Sequence, residues 1–272
     1  MKNAPPASQS FLSVRLSVSG WAMVVVAISV AAWLFTLIFM SGMDEGPGTP
    51  LHQLPVFLAG WVVMLTAMML PSELNYIAAF AGMLRGRGTA RAVRIQRMLG
   101  FVAGYGIAWI AYGLCAYALD GLVRAVSPRV IAWDHAGPWL AGAVLVLAGF
   151  FQVSSLKHVC LKGCRSPFSF FQLHWRAGNG GAIYMGFKHG LVCVGCCWAL
   201  MGVMFAVGAM SLTWMALLTL FMFAEKVLPK GQKLAIPIAF FLVAMGIWIA
   251  VSPQTAPLLQ DPLMYDGYCR SL

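Results

Sequence analysis

Apolar residues run along this chain in long, nearly unbroken stretches rather than alternating or marking one face of a helix. Seven such runs predict helices, at roughly 20–41, 54–83, 98–119, 137–156, 183–208, 211–227 and 234–251. Most of them reach the ~20 residues that a helix needs to cross the hydrocarbon core of a bilayer. The sixth run is short, and the second is long enough to tilt or break. Pro71-Ser72 lies inside that second run, and a membrane helix tolerates such a proline where neighbouring groups satisfy the freed carbonyl. The expectation is an all-α fold: a polytopic membrane helix bundle of about seven transmembrane helices.

The charged positions sort between these runs. One set of segments carries Lys2 and Arg15, then Arg85, Arg87, Arg91, Arg94 and Arg97, then Lys157, Lys162, Arg165 and Arg176, and finally Lys226, Lys230 and Lys233. The alternate segments carry only Arg124, Arg129 and Arg270, beside Asp44, Glu45, Asp120, Asp134, Asp261 and Asp266. Basic loops favour the cytoplasmic side, so the N-terminus is expected inside and the C-terminus outside. The first run is too long for a signal-peptide core and lacks a small-residue cleavage site, which predicts that it is retained. No loop is long enough to fold alone, so residues 1–272 read as one integral membrane domain with the tail 252–272 outside.

Composition sharpens this picture. The chain is 61% hydrophobic and 10% charged, with a mean hydropathy of +0.82. Soluble domains are nearer half apolar and a quarter charged, and disordered chains need still less apolar content. The net charge of +10 follows the membrane topology and does not describe a nucleic-acid surface. No GxxxxGK[ST] loop occurs, so no nucleotide partner is expected, and neither HExxH nor GxSxG appears. A catalytic turnover of its own is therefore not expected.

Candidate chemistry concentrates in residues 157–201, which hold Cys160, Cys164, Cys193, Cys196 and Cys197 with His158, His174 and His189. On a helix, His189, Cys193, Cys196 and Cys197 fall at i, i+4, i+7 and i+8, within a sector of about 100° on one face. Met204 continues that stripe and Met201 borders it, while Gly186 and Gly190 would admit a second helix closely. Thiolate, thioether and imidazole suit Cu(I) or Zn(II), whereas hard cations take oxygen. Cysteine is also a small packing residue, and a lone Cys115 or Cys269 reads that way. Cys160 and Cys164, one turn apart in a loop at the cytoplasmic side, could clamp a metal or pass it to the cluster above. His158 and His174 read as solvated loop residues. Phe168, Phe170, Phe171 and Trp175, interleaved with Arg165 and Arg176, read as an interfacial segment.

The second run supplies an opposite wall with Met64, Met68, Met69 and Glu73. Counting inward at 1.5 Å per residue puts Glu73 and Cys193 both roughly 17 Å deep, and Met68 and Met69 level with Cys196 and Cys197. An ionisable residue at that depth is expensive unless paired, so Glu73 reads as a ligand, a proton acceptor or a partner to Lys188 or Lys226. Glu225-Lys226 reads as an interfacial pair capping the sixth helix. No C-x-x-C-H motif is present, although His189 leaves an axially bound haem open.

The stretches AMMLPS at 67–72, KHVCLKGCRSP at 157–167, GLVCVGCCWALM at 190–201 and AEKVLPKG at 224–231 resemble a family of bacterial integral membrane proteins. That family is described as predicted to bind metal and is otherwise a domain of unknown function. The resemblance covers roughly residues 54–233 and implies metal binding, with Cys160, Cys164, Cys193, Cys196 and Cys197 as candidate ligands.

Three readings follow, the third of them a membrane redox enzyme that uses the thiols or a haem. In the first, Cys193, Cys196, Cys197, His189, Cys160, Cys164, Glu73 and Met68 hold a soft metal, copper or zinc, for transport or for delivery to a membrane copper enzyme or a periplasmic acceptor. In the second, the chain is an accessory or assembly subunit of a larger membrane oxidase or oxygenase, and the cysteines pack or respond to redox state.

Overall fold

A computed structural model describes residues 7–40, 51, 53–126, 136–208, 211–228 and 230–255. Asp44, Glu45, Arg129, Asp134, Cys269 and most of the tail lie outside the described residues. Among those described, every regular element is a helix. The α-helices are α1 (Ala7–Phe35), α2 (Leu54–Met68), α3 (Leu74–Gly86), α4 (Arg91–Val126) and α5 (Gly137–Gln152). They continue as α6 (Ser155–Arg165), α7 (Pro167–His174), α8 (Gly178–Val207), α9 (Leu212–Val227) and α10 (Ala235–Val251).

Among the described residues, four helical segments are long and apolar enough to cross a bilayer: Gly20–Ile38, Arg91–Val126, Gly178–Val207 and Gly231–Val251. Two more candidates are bent pairs. The second apolar run breaks between α2 and α3 by 50°, through a tight 3₁₀ turn at Leu70–Glu73. Pro71 explains the break, since it has no N–H to donate and its ring crowds the preceding turn. The other bend, 65° between α5 and α6, falls at Val153-Ser154, where the Ser154 side chain accepts from the Lys157 backbone N–H. With 16 residues, α9 is shorter than any of these candidates.

The segment 157–182, expected as a cytoplasmic loop, is helical over most of its length and folds back onto the bundle. Lys157, Leu161 and Cys164 are buried along one side of α6, and Phe170 and Phe171 of α7 pack among Tyr76, Phe80 and Phe101. Phe168 alone of the three phenylalanines points outward. The sequence carried the sign of this in its apolar and cysteine positions three and four apart, but its lysines read as loop charge.

Glycines set the helix spacing. A Cβ on Gly186 would collide with the Phe101 backbone carbonyl, and one on Gly104 with that of Ile183. The α4 and α8 backbones therefore touch, and they run parallel, with Gly190 against Tyr105 and Ala108 further along. Antiparallel α5 and α10 meet in the same way through Gly142 and Gly246. The main core, which includes Trp61, Trp109, Trp214 and eight buried methionines, surrounds the cysteine-bearing middle of α8. They include Met64, Met68 and Met69 of the second apolar run and Met201 and Met204 of α8.

Candidate metal centre

Residues from several elements converge at the middle of α8. The sulfurs of Cys164, Cys193 and Cys196 all lie within 4.8 Å of one another. Cys193 and Cys196 come from one face of α8, and Cys164 is brought in from the end of α6. Cys164 Sγ is 3.4 Å from Cys196 Sγ, and Cys197 Sγ is 3.2 Å from Cys196 Sγ. Cys164 is therefore within the cluster, not below it as the loop reading had placed it. The Cys196 thiol donates to the Cys193 carbonyl at 3.1 Å, which uses the free lone pairs of a carbonyl one turn earlier.

Cys160 occupies a different place. It is half-buried where α6 meets Gly195 of α8, and it is outside the group of three close sulfurs. Gly195 is needed there, because a Cβ would lie 2.9 Å from the Cys160 sulfur. Met68 is fully buried in the core that contains the cysteines, and His189 is fully buried one turn below Cys193. His158 is exposed, and half-buried His174 lies 3.1 Å by its Nδ1 from the Phe170 carbonyl. Cys115 is exposed on α4, away from the cluster.

Glu73, at the α2–α3 break, reaches the cluster from the other side. Its carboxylate oxygens lie 2.5 Å from His189 Nε2 and 3.7 Å from Cys193 Sγ. Tyr76 stacks on the His189 ring at 3.7 Å between centroids, and the Tyr76 hydroxyl donates to the Gly163 carbonyl on α6. His189 Nδ1 is buried without a hydrogen-bond partner among the described residues.

Lys226 changes the electrostatics of the site. Its ammonium donates to Glu73 Oε1 and to Cys193 Sγ, both at 3.0 Å, and to Ser72 Oγ at 3.2 Å. The Tyr105 hydroxyl lies 3.2 Å from Cys193 Sγ. The expectation that Glu225-Lys226 is an interfacial cap is overturned, because both side chains are buried and point to different partners. Glu225 pairs with Lys157 at 2.6 Å and accepts from Gln152 at 3.0 Å. A buried charge is tolerated only when paired and hydrogen-bonded, and both pairs satisfy that condition. Lys226, one of the two partners expected for Glu73, does pair with it, whereas the Lys188 ammonium lies 5.8 Å from the Tyr184 ring centroid; Tyr105 was not among the site candidates.

The donor set suits one soft ion. Three sulfurs each about 2.3 Å from a common ion stand about 4 Å apart, close to the spacing seen here. Three thiolates around a monovalent cation leave excess negative charge in a low-dielectric interior, and the Lys226 ammonium stands where it offsets part of that excess.

Fold and site together define a helical protein with several helices long and apolar enough to cross a membrane and a buried cysteine cluster fit for a soft metal. The family model for PpoB2, described as a copper chaperone, matches residues 58–249, and the chain belongs to that family. No curated protein and no solved structure matches it.

Proposed function

We propose that this protein holds one Cu(I) as cargo inside the bacterial inner membrane and hands it to a membrane copper enzyme or a periplasmic acceptor. The observation that carries this reading is the meeting of Cys164, Cys193 and Cys196 from two helices within 4.8 Å. Thiolates favour Cu(I), and the family's description as a copper chaperone agrees with that choice of metal.

Transfer then proceeds by ligand exchange. Cys197, 3.2 Å from Cys196, is the next soft donor along α8. Met201 and Met204 extend the buried soft side chains toward the far end of that helix, beyond the cluster. Glu73 and His189 form a buried acid–base pair that accepts protons displaced from the thiols as copper arrives. In this reading the chain crosses the membrane seven times, with the shorter α9 held by its neighbours, the N-terminus in the cytoplasm and the C-terminus outside.

The test is copper content after reconstitution with Cu(I) under reducing conditions. Wild type is expected to hold about one equivalent. The Cys193→Ser/Cys196→Ser variant is expected to hold none while keeping its helical content. Full retention of copper in that folded variant contradicts the site.

A further inference from the structure

A pocket of about 510 Å³ opens where α1, α3 and α4 meet, remote from the cysteine cluster. Arg85 of α3 and Arg91 and Arg94 of α4 line it, together with Gly20, Trp21 and Val24 of α1 and Ile95. Of the five arginines between α3 and the first turns of α4, these three converge on one concavity. Arg87 instead covers the Trp175 ring at 3.7 Å.

Nothing acidic among the described residues balances them. The described acids are engaged elsewhere: Glu73 with Lys226 and His189, Asp120 with Arg124, and Glu225 with Lys157. Arg94 is half-buried and Arg85 and Arg91 are exposed at the rim, so three guanidinium groups face one concavity and an anion between them relieves their repulsion. The N-terminus of α4, which carries Arg91 and Arg94, adds the positive end of a helix dipole and so compounds the problem. Planar guanidinium forks match phosphate oxygens in pairs.

The opposite wall narrows the choice of anion. Trp21 and Val24 of α1 make it apolar, and Gly20 leaves it open, with nothing within 4 Å of where its Cβ would stand. A free inorganic anion gains nothing from such a wall. A phosphate joined to a diacylglycerol uses both halves, and basic pockets between membrane helices at the cytoplasmic surface take anionic headgroups. We infer that this pocket binds the phosphate of one anionic phospholipid, with its acyl chains along α1.

The experiment is native mass spectrometry of the full chain in mild detergent, titrated with phosphatidylglycerol, phosphatidylcholine or inorganic phosphate. Wild type is expected to retain one phosphatidylglycerol at least ~10-fold better than phosphatidylcholine. Arg85→Gln/Arg91→Gln/Arg94→Gln removes that preference. Lys162→Gln/Lys230→Gln/Lys233→Gln, with the same loss of charge outside the pocket, keeps it. Gly20→Leu fills the pocket with every arginine intact and is also expected to lose the lipid, which guards against misfolding of the triple variant. Retention in both pocket variants overturns the inference, as does equal loss in the lysine variant. Arginine-dependent binding of inorganic phosphate that displaces the lipid overturns the assignment to a phospholipid.

Discussion

The ammonium of Lys226 lies 3.0 Å from the sulfur of Cys193, although the two residues sit on different helices and both are buried. The same ammonium lies 3.0 Å from Glu73. A cation is thus built into the wall of a thiol cluster. It lowers the cost of carrying thiolates in an interior where unpaired charge is expensive.

Replacing that cation is the first prediction. Lys226→Met is expected to weaken Cu(I) binding at least about tenfold, or about 1.4 kcal/mol, because the thiolates lose their counter-charge. Competition against a colorimetric Cu(I) chelator measures this directly. Unchanged or tighter binding would show that the ammonium opposes copper instead of supporting the thiolates.

Glu225 and Lys157 give a second prediction. Their pair ties α9 to α6, the helix that delivers Cys164. Glu225→Leu strands a buried lysine and is expected to destabilise the protein by about 3–5 kcal/mol and to loosen copper binding. Lys157→Met/Glu225→Leu removes both charges and is expected to recover most of the stability. Thermal unfolding in detergent of the two variants side by side is the check. A double variant no more stable than the single one would refute the ion-pair account.

The close crossing of α4 and α8 predicts a sharp contrast between two glycines on one helix. At Gly186 a Cβ meets the Phe101 carbonyl, whereas at Gly202 its nearest neighbour is the Tyr112 hydroxyl at 3.6 Å. Gly186→Ala is therefore expected to cost about 1–3 kcal/mol by forcing the backbones apart. Gly202→Ala is expected to be neutral or slightly stabilising, through better helix propensity. Equal thermal midpoints for the two would contradict the packing.

Much of this arrangement is readable before any coordinates. His189, Cys193 and Cys196 share a face because helical periodicity is local, and Glu73 and Cys193 fall at one depth because the rise per residue is constant. Cys164 was legible as a candidate ligand but not in its position. Its approach depends on the 65° turn after α5, and the lysines of α6 disguise a packed helix as a basic loop. Lys226 was less legible still. It was legible only as one of two possible partners for Glu73, beside Lys188. Its contact with Cys193 and its burial depend on how α9 packs against the α2–α3 break, 153 residues away in sequence, which no local pattern reports. Tyr105 reads as one more aromatic in an apolar span until the crossing of α4 and α8 sets its hydroxyl beside Cys193.

Copper binding displaces thiol protons, so apparent affinity is expected to fall as pH falls, by about tenfold per pH unit for each proton released. The slope between about pH 8 and 6 should be shallower in Cys164→Ser, which has one fewer thiol to deprotonate. Identical slopes in chelator competition would exclude Cys164 from the ligand set.

The most direct test of the three-thiol centre is X-ray absorption at the copper edge on Cu(I)-loaded protein, wild type beside Cys164→Ser. The structure predicts about three sulfur neighbours near 2.3 Å in wild type and one fewer in the variant. A first shell dominated by nitrogen or oxygen, or one unchanged by the loss of Cys164, would contradict it.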